Sequence, residues 1–418
     1  METKKKGFPV AFWVCSCTEI FERLAYYLGR SLILIFVTAS VATGGLGLSD
    51  TVAANMQSNL TAFSYLLPLF GAVIVDKYIG ARYTTPVGMF IAAAGYFTGG
   101  IAKSSAGVYA MIFLVSLGLA LFKNGAIIGR VITDKSQMDP AFSMRYTLVN
   151  VGAFIGTFLV GILYKDVFAK DGVLGFAPCF KMAALMMVLG GLWYIFVCWR
   201  FLGDLGKLPF KKTLTEEEKA AEAKKKEETG TKQPLTTIEK KRIGAIFVAS
   251  LFSIVFWIFW YLGYMPVYFY WAENMDWVVA GYQVPSTWFD AANSLFCVIL
   301  GPVTAALWKK LAARPQGDMS LFRKTGLGIA IIGVGYLFYA AIDIMRGGEK
   351  ASVLWLIVFA FLLTMGEMFF SPLGHSFISK YSPSRYLAVM MSVWGFATFI
   401  AAKSYGPVYG LLFGGKIE

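Results

Sequence analysis

The stretch VGMFIAAAGYFTGGIA (87–102) contains no charged residue, and neither does MAALMMVLGGLWYIFV (182–197). An α-helix needs about 20 mostly apolar residues to cross a hydrocarbon core roughly 30 Å thick, and these runs approach that length. The whole chain is 57% hydrophobic and only 15% charged, whereas soluble domains carry about 25% charged residues. This composition excludes a soluble globular enzyme, and the lack of period-two alternation excludes a transmembrane barrel. The sequence therefore predicts an all-α integral membrane protein.

Apolar segments bounded by charge, glycine or proline predict eleven membrane spans. The segments cover about 8–40, 51–75, 83–102, 107–132, 142–164, 177–201, 242–271, 285–312, 321–343, 351–379 and 386–413. Six spans, a charged stretch and a second group of spans are typical of a two-bundle secondary transporter. We therefore predict an N-terminal six-helix bundle (1–202), a charged linker (203–241) and a C-terminal bundle (242–418). Since such proteins have six spans in each half, we expect the sequence to stop before a twelfth span.

The net charge of +13 is explained by topology rather than by a nucleic-acid partner. With the N-terminus inside, 27 of the 38 lysines and arginines fall on the inner face. Basic residues concentrate on the cytoplasmic side of membrane proteins. The pattern predicts a multi-pass protein of the cell membrane whose N-terminus and central linker are cytoplasmic.

The sequence indicates neither a cofactor nor a metal site. Five cysteines lie in or beside apolar stretches without metal-like spacing, and they are interpreted as small hydrophobic residues; they are Cys15, Cys17, Cys179, Cys198 and Cys297. There is no nucleophile–base set or glycine-rich phosphate loop, so an enzyme is not expected.

Charges inside the spans carry the functional argument, because each is costly in a membrane. The first span reads CTEIFERLAYYLGRSLILIF (17–36). Its Glu19, Glu22 and Arg23 stand at i, i+3 and i+4 and therefore share one helix face. Arg30 follows two turns later on nearly the same face. Such a cluster lines a cavity, or it is an internally neutralised set of ion pairs that only ties helices together.

Two further charges fall at a similar depth, Lys123 in LGLALFKNGAIIG and Glu367 in LLTMGEMFFSPLG. This depth is near the midplane of the membrane, where transporters bind their substrates. Arg23 and Lys123 in the first half and Glu367 in the second suit a zwitterion, with the carboxylate on the first half and the ammonium on the second. Glu19 and Glu22 are candidates for proton exchange. Asn150 and Asn293 are weaker signals, since a lone asparagine in a span often makes a packing bond.

At these residues the chain resembles the proton-dependent oligopeptide transporter family of the major facilitator superfamily. Glu19-x-x-Glu22-Arg23 with the following tyrosines matches that family's first-helix signature. Weaker similarities are carried by GAVIVDKYIGAR (71–82), LFKN (121–124), RYTLVNVG (145–152), MGEMFFSPLG (365–374) and MMSVWGF (390–396). The resemblance extends over nearly the whole chain and implies the two-bundle fold of that superfamily.

The resemblance also implies residue roles. Arg23, Arg30 and Lys123 would serve the carboxylate side of a peptide, and Glu19 and Glu22 would serve proton coupling together with Arg23. The amino end of the peptide would be bound by Asn150, Asn293 and Glu367. Tyr26 and Tyr65 would line the pocket. Asp76 and Arg82 would brace the inner gate.

The chain departs from the family pattern at several positions. Arg145 stands where an aromatic residue is usual. In the seventh span, Tyr261 and Leu262 stand where family members often have Glu or Gln. The proline usual after Lys123 is absent, and 203–241 is too charged to supply the two extra helices that many bacterial members insert there.

The sequence thus predicts a proton-coupled symporter that imports di- and tripeptides by alternating access, with peptides, protons and the lipid bilayer as partners and a monomer as its state. Two alternatives stay open. One is a proton symporter of the same family for another small substrate, such as nitrate or a peptide-like metabolite. The other is a non-transporting membrane receptor on a transporter fold.

Overall fold

Long helices account for nearly all of the structure. The computed structural model describes residues 7–122, 124–132, 138–209, 235–316, 319–383 and 386–413. In the first half the helices are α1 (Val10–Thr38), α2 (Asp50–Lys77), α3 (Ala81–Ile101), α4 (Ser105–Leu121), α5 (Asn124–Val131), α6 (Met138–Ile162) and α7 (Phe176–Phe201). In the second half they are α8 (Thr237–Leu262), α9 (Met265–Tyr268), α10 (Tyr270–Asn274), α11 (Trp288–Ala312), α12 (Leu321–Arg346), α13 (Leu354–Tyr381) and α14 (Leu387–Phe413). Each predicted span coincides with one of these helices, except that 107–132 corresponds to α4 and α5 and 242–271 to α8, α9 and α10.

Six of the described helical segments are long and apolar enough to cross a membrane by length and composition. They are Asp50–Val75, Met144–Val167, Phe176–Phe201, Thr237–Asn274, Trp288–Trp308 and Phe322–Arg346. Ser105–Leu121 and Leu354–Phe370 are shorter apolar helices.

The chain divides into two compact units. One comprises Met1–Leu48 and Leu67–Thr213, and the other comprises Ser49–Leu66 and Leu214–Glu418. In the first unit α1 packs against α6 and α7, and α3 packs against α4 and α7. In the second unit α8 packs against α14, and α13 packs against α11 and α12. The domain boundaries drawn from the sequence stay a prediction, although the units show that the first turns of α2 pack with the second half of the chain.

The N-terminal part of α2 is fixed within the second unit by hydrogen bonds to α14. Ser58 Oγ donates to the carbonyl oxygens of Ala402 at 2.7 Å and Lys403 at 3.0 Å. Tyr405, which is fully buried, donates from its hydroxyl to Gln57 Oε1 at 3.2 Å. Side-chain to backbone bonds of this kind hold helices together where the apolar effect is weak.

The predicted seventh span is interrupted rather than continuous. Helix α8 ends at Leu262 with Gly263 as its C-cap, and Pro266 lies in the first turn of the short helix α9, because proline fits a first helical turn but lacks an N–H for a helix interior. Three two-residue strands follow α10, and a fourth follows α12: β1 (Met275–Asp276), β2 (Val278–Val279), β3 (Tyr282–Gln283) and β4 (Ala351–Ser352). The β2–β3 hairpin turns at Ala280 and Gly281, both with positive φ, and β1 pairs in parallel with β4.

The end of α7 and the start of α8, on either side of 210–234, are both capped by described residues. Helix α8 begins with a capping box, in which Thr236 Oγ1 accepts from the Glu239 N–H and the Glu239 side chain accepts from the Thr236 N–H. Its start at Thr237 precedes the predicted span by five residues. At the end of α7, Arg82 donates to the carbonyl of Gly203, and at 2.8 Å to that of Cys198.

Two glycines on α6 set the approach of this helix to α1. A Cβ on Gly152 would lie 2.9 Å from the Ile20 carbonyl oxygen, and a Cβ on Gly156 would lie 2.5 Å from the Leu24 carbonyl oxygen. Small residues four apart let helix backbones pack closely in membranes. The α1–α6 contact therefore depends on glycine at both positions.

We expect Gly156→Ala to destabilise the protein, because overpacking against backbone costs about 1–3 kcal/mol. The matched control is Gly333→Ala on α12, where a Cβ meets no atom within 4 Å. There the same change should be neutral or stabilising by up to about 1 kcal/mol, since alanine favours helices over glycine. Thermal unfolding of the two purified variants measures the difference, and equal shifts would contradict the packing argument.

Candidate functional site

The first-helix motif forms a buried ion pair on α1. Glu22 is fully buried, and both of its carboxylate oxygens accept from Arg23, with Nη2 to Oε1 at 2.6 Å and Nε to Oε2. The Arg23 guanidinium lies over the Tyr26 ring, 4.9 Å from its centre, and Tyr26 is buried. A guanidinium fixed between a carboxylate and an aromatic face has both its charge and its direction set.

Glu19, one turn earlier on α1, has a partner on another helix. Arg145 on α6 donates from Nε at 3.0 Å and from Nη2 at 2.9 Å to the same Glu19 oxygen. The Glu19 side chain is 3% exposed and that of Arg145 is 29% exposed. Arg145 falls inside the predicted span 142–164 and lies in α6, but the sequence gave it no role. One sequence signal could have indicated a role for Arg145: in the motif RYTLVNVG (145–152) it stands where the family usually has an aromatic residue.

Two further residues predicted for the carboxylate side, Arg30 and Lys123, and one predicted for the amino end, Asn150, also belong to the first half of the chain. Arg30 is buried on α1, two turns beyond Arg23. Asn150 lies half-buried on α6, and its side-chain amide donates to the Tyr146 carbonyl of its own helix at 3.0 Å. Lys123 lies outside the described residues. The α1 cluster of Glu19, Glu22, Arg23, Arg30 and Arg145 therefore carries one net positive charge.

In the second unit, Glu367 on α13 lies among neutral groups. Its Oε2 accepts from Asn293 Nδ2 at 3.1 Å and from the Cys297 thiol at 3.8 Å. The Asn293 amide also donates to Thr364 Oγ1 at 2.8 Å, which fixes its orientation. Over the described ranges no basic side chain pairs with Glu367. This buried carboxylate is thus hydrogen-bonded but not charge-balanced, which suits an incoming cation.

Cys297 and Trp260 were not predicted at this carboxylate. Cys297 lies one helical turn after Asn293 on α11, and that spacing of four residues could have identified it. The indole of Trp260 on α8 also lies next to Glu367, although its Nε1 makes no hydrogen bond of normal geometry.

The other predicted aromatic and gating residues, and the departure from the family pattern at Tyr261, lie as follows. Tyr65 on α2 is 46% exposed. Tyr261 is buried and stacks on Tyr405 with ring centres 4.7 Å apart, so the position often occupied by Glu or Gln joins an aromatic contact. Arg82 lies at the start of α3 and caps the end of α7, as described above. The side chain of Asp76 lies outside the described part of the structure.

The loop after α7 contains one exposed ion pair. Asp204 accepts from Lys207 Nζ at 2.6 Å, and this hydrogen bond lowers the pKa of Asp204. Exposed pairs of this kind contribute little to stability, because water and salt screen them.

The arrangement offers charged groups that can bind a ligand. One unit carries one buried and two partly buried arginines that can receive an anion, and the other carries a buried carboxylate that can receive a cation. Among the residues whose positions are described, no group of three His, Cys, Asp or Glu side chains could hold a metal ion.

Comparisons with known proteins agree with this description. A family model described as "POT family" matches residues 204–412, half of the chain. The uncharacterized transporter YclF of Bacillus subtilis is 25% identical, covering 97% of this chain and 88% of that protein. A di-/tripeptide transporter of Lactococcus lactis subsp. cremoris is 24% identical, covering 93% and 86%. A crystal structure of a peptide transporter in complex with sulfate superposes with a TM-score of 0.82 at 24% identity, covering 97% and 90%.

These similarities confirm the predicted fold class. The chain has the all-α fold of the major facilitator superfamily, and it is a multi-pass membrane protein. The relatives are transporters, which confirms that a transporter and not an enzyme is the correct class.

Proposed function

The chain belongs to the POT family, and from this premise we propose that it is a proton-coupled symporter that imports di- and tripeptides by alternating access. The observation that supports the proposal is the opposite charge of its two buried clusters. The α1 cluster is net positive, whereas Glu367 is a carboxylate held only by neutral donors among the described groups. A peptide has one carboxylate and one ammonium group, so it supplies a counter-charge to each.

For the substrate we propose the following roles. Arg23, Arg30 and Lys123 attract the peptide carboxylate. Asn150, Asn293 and Glu367 receive the amino end, where Glu367 supplies the charge. Tyr26 and Tyr65 line the pocket.

For coupling, we propose that Glu19, Glu22 and Arg23 act as one proton-coupling set, in which a carboxylate exchanges the proton and the guanidinium keeps its charge. A carboxylate buried against an arginine stays ionised while the pair is closed, and it binds a proton when the arginine turns to another anion. Asp76 and Arg82 brace the inner gate. The protein acts as a monomer in the cell membrane, with its N-terminus and central linker in the cytoplasm.

Uptake into proteoliposomes tests the proposal. Purified protein in liposomes with an inward proton gradient and a negative interior should concentrate a labelled dipeptide, and an ionophore that abolishes the gradient should stop this at once. Accumulation indifferent to the gradient would contradict proton coupling. Binding without any uptake would favour a receptor, and displacement by nitrate but not by peptides in a thermal-shift panel would favour another substrate.

A further inference from the structure

Two carboxylates on α1 have separate arginine partners, and the two partners come from different helices. Glu22 is paired with its neighbour in sequence, Arg23, and Glu19 is paired with Arg145 of α6. Glu19 and Arg145 both lie close enough to Glu22 to act on its charge. The two glutamates and the two arginines therefore interact electrostatically as one group. A change in the charge at Arg145 alters the electrostatic environment of Glu22.

The backbone holds Arg145 in place independently of this ion pair. Arg145, Gly152 and Gly156 are spaced by seven and four residues, so they lie within about 40° of one another around α6. The two glycines touch α1 at Ile20, Arg23 and Leu24. Because the same face carries Arg145, the close helix contact directs its side chain at Glu19.

Without Arg145, α1 would have two carboxylates one turn apart that share Arg23 on the same helix face. Carboxylates in such a position compete for the cation, and like charges at this spacing repel. The proposed coupling step needs Arg23 to alternate between Glu22 and a substrate. A second carboxylate that also attracts Arg23 would interfere with that exchange.

We infer that Arg145 is a positioning residue of the transport cycle: it holds Glu19 against α6 and thereby leaves Arg23 to Glu22 and the substrate. The inference rests on the proposed function and deepens it. It refines the proposed coupling set: Glu22 is the carboxylate that exchanges the proton, and Glu19 belongs to the set as a fixed anion held by Arg145.

A double-mutant cycle distinguishes this role from a general structural one. The proteins are the wild type, Arg145→Gln, Glu19→Gln and the double variant, each assayed for proton-driven peptide accumulation and for thermal unfolding. Arg145→Gln should lower accumulation by about tenfold or more, because Glu19 then competes for Arg23. The double variant should recover to within about threefold of the wild type, since the competing carboxylate is gone.

The exposed pair Asp204–Lys207 supplies the control. Lys207→Gln, Asp204→Asn and their double variant should change neither accumulation nor unfolding. Recovery in the Arg145→Gln/Glu19→Gln protein supports the inference. It is overturned if Arg145→Gln behaves as the wild type, or if the double variant is no better than the single one.

The outcome can be separated from that of the proposed function. A wild type that concentrates no peptide contradicts the function. The unfolding cycle needs no substrate, so coupling between Arg145→Gln and Glu19→Gln there would still support the pairing, and strict additivity would overturn it.

Discussion

Glu22→Gln should abolish the proton-driven accumulation of peptide and leave peptide exchange intact. For one proton per peptide, a potential of 100 mV and one pH unit supply about 3.7 kcal/mol, which sustains a concentration ratio of roughly 500-fold. Glutamine keeps the size of the side chain and its oxygen for Arg23, but it cannot exchange a proton. The ratio should therefore fall to about 1, while counterflow with peptide on both sides remains measurable.

The matched control for this experiment is Asp343→Asn on α12. Asp343 also accepts from an arginine, Arg346, at 2.6 Å, and from the Tyr270 hydroxyl at 2.5 Å. The substitution Asp343→Asn removes one ion-paired acid outside the α1 cluster, so peptide accumulation should persist. If Glu22→Gln still concentrates peptide, the α1 ion pairs only tie helices together, which was the alternative interpretation of the sequence.

The second large effect is expected at Glu367. Glu367→Gln keeps an oxygen acceptor for Asn293 and removes the charge, so it isolates the attraction for an ammonium group. Removal of one partner from a buried charge pair costs about 2–5 kcal/mol, which weakens binding by roughly 30-fold or more. Peptides with a free amino group should lose this affinity, and their N-acetylated analogues should change little.

Asp290 provides the comparison for Glu367. It is a second buried acid of the same unit, on α11, and it accepts from the Tyr268 hydroxyl. Asp290→Asn should affect free and N-acetylated peptides alike. Binding competition measured for both peptide classes on both variants decides the matter, and equal losses of the two classes on Glu367→Gln would remove the ammonium role.

The fold was largely predictable, because apolar runs long enough to cross a membrane leave little choice of structure. Helices coincide with the predicted spans within a few residues, even where charge interrupts the run, as in α1. The break after Gly263 was not predicted, since the aromatic run across it remains apolar throughout. Local backbone chemistry at Gly263 and Pro266 ends the helix there, and hydropathy does not detect it.

The residues of the candidate site stay a prediction, and the sequence did not predict how their side chains pair. Helix periodicity grouped Glu19, Glu22 and Arg23 correctly, but it cannot show that Glu19 faces another helix. That contact depends on the closeness of α6, which is set by two glycines without side chains of their own. In the same way, Cys297 counted as a small hydrophobic residue until α11 and α13 brought its thiol to Glu367.

The capped ends of α7 and α8 affect where a two-bundle transporter can gain or lose residues between its two halves. Arg82, at the start of α3, donates hydrogen bonds to the carbonyl groups at the end of α7. The start of α8 is capped by the Thr236–Glu239 box. Among the described residues, both of these contacts come from outside 210–234, the central part of the linker. The linker segment 210–234 is therefore a suitable insertion point. A reporter domain, extra helices or a regulatory segment can be added there, in evolution or by engineering, without changing the capped ends of α7 and α8.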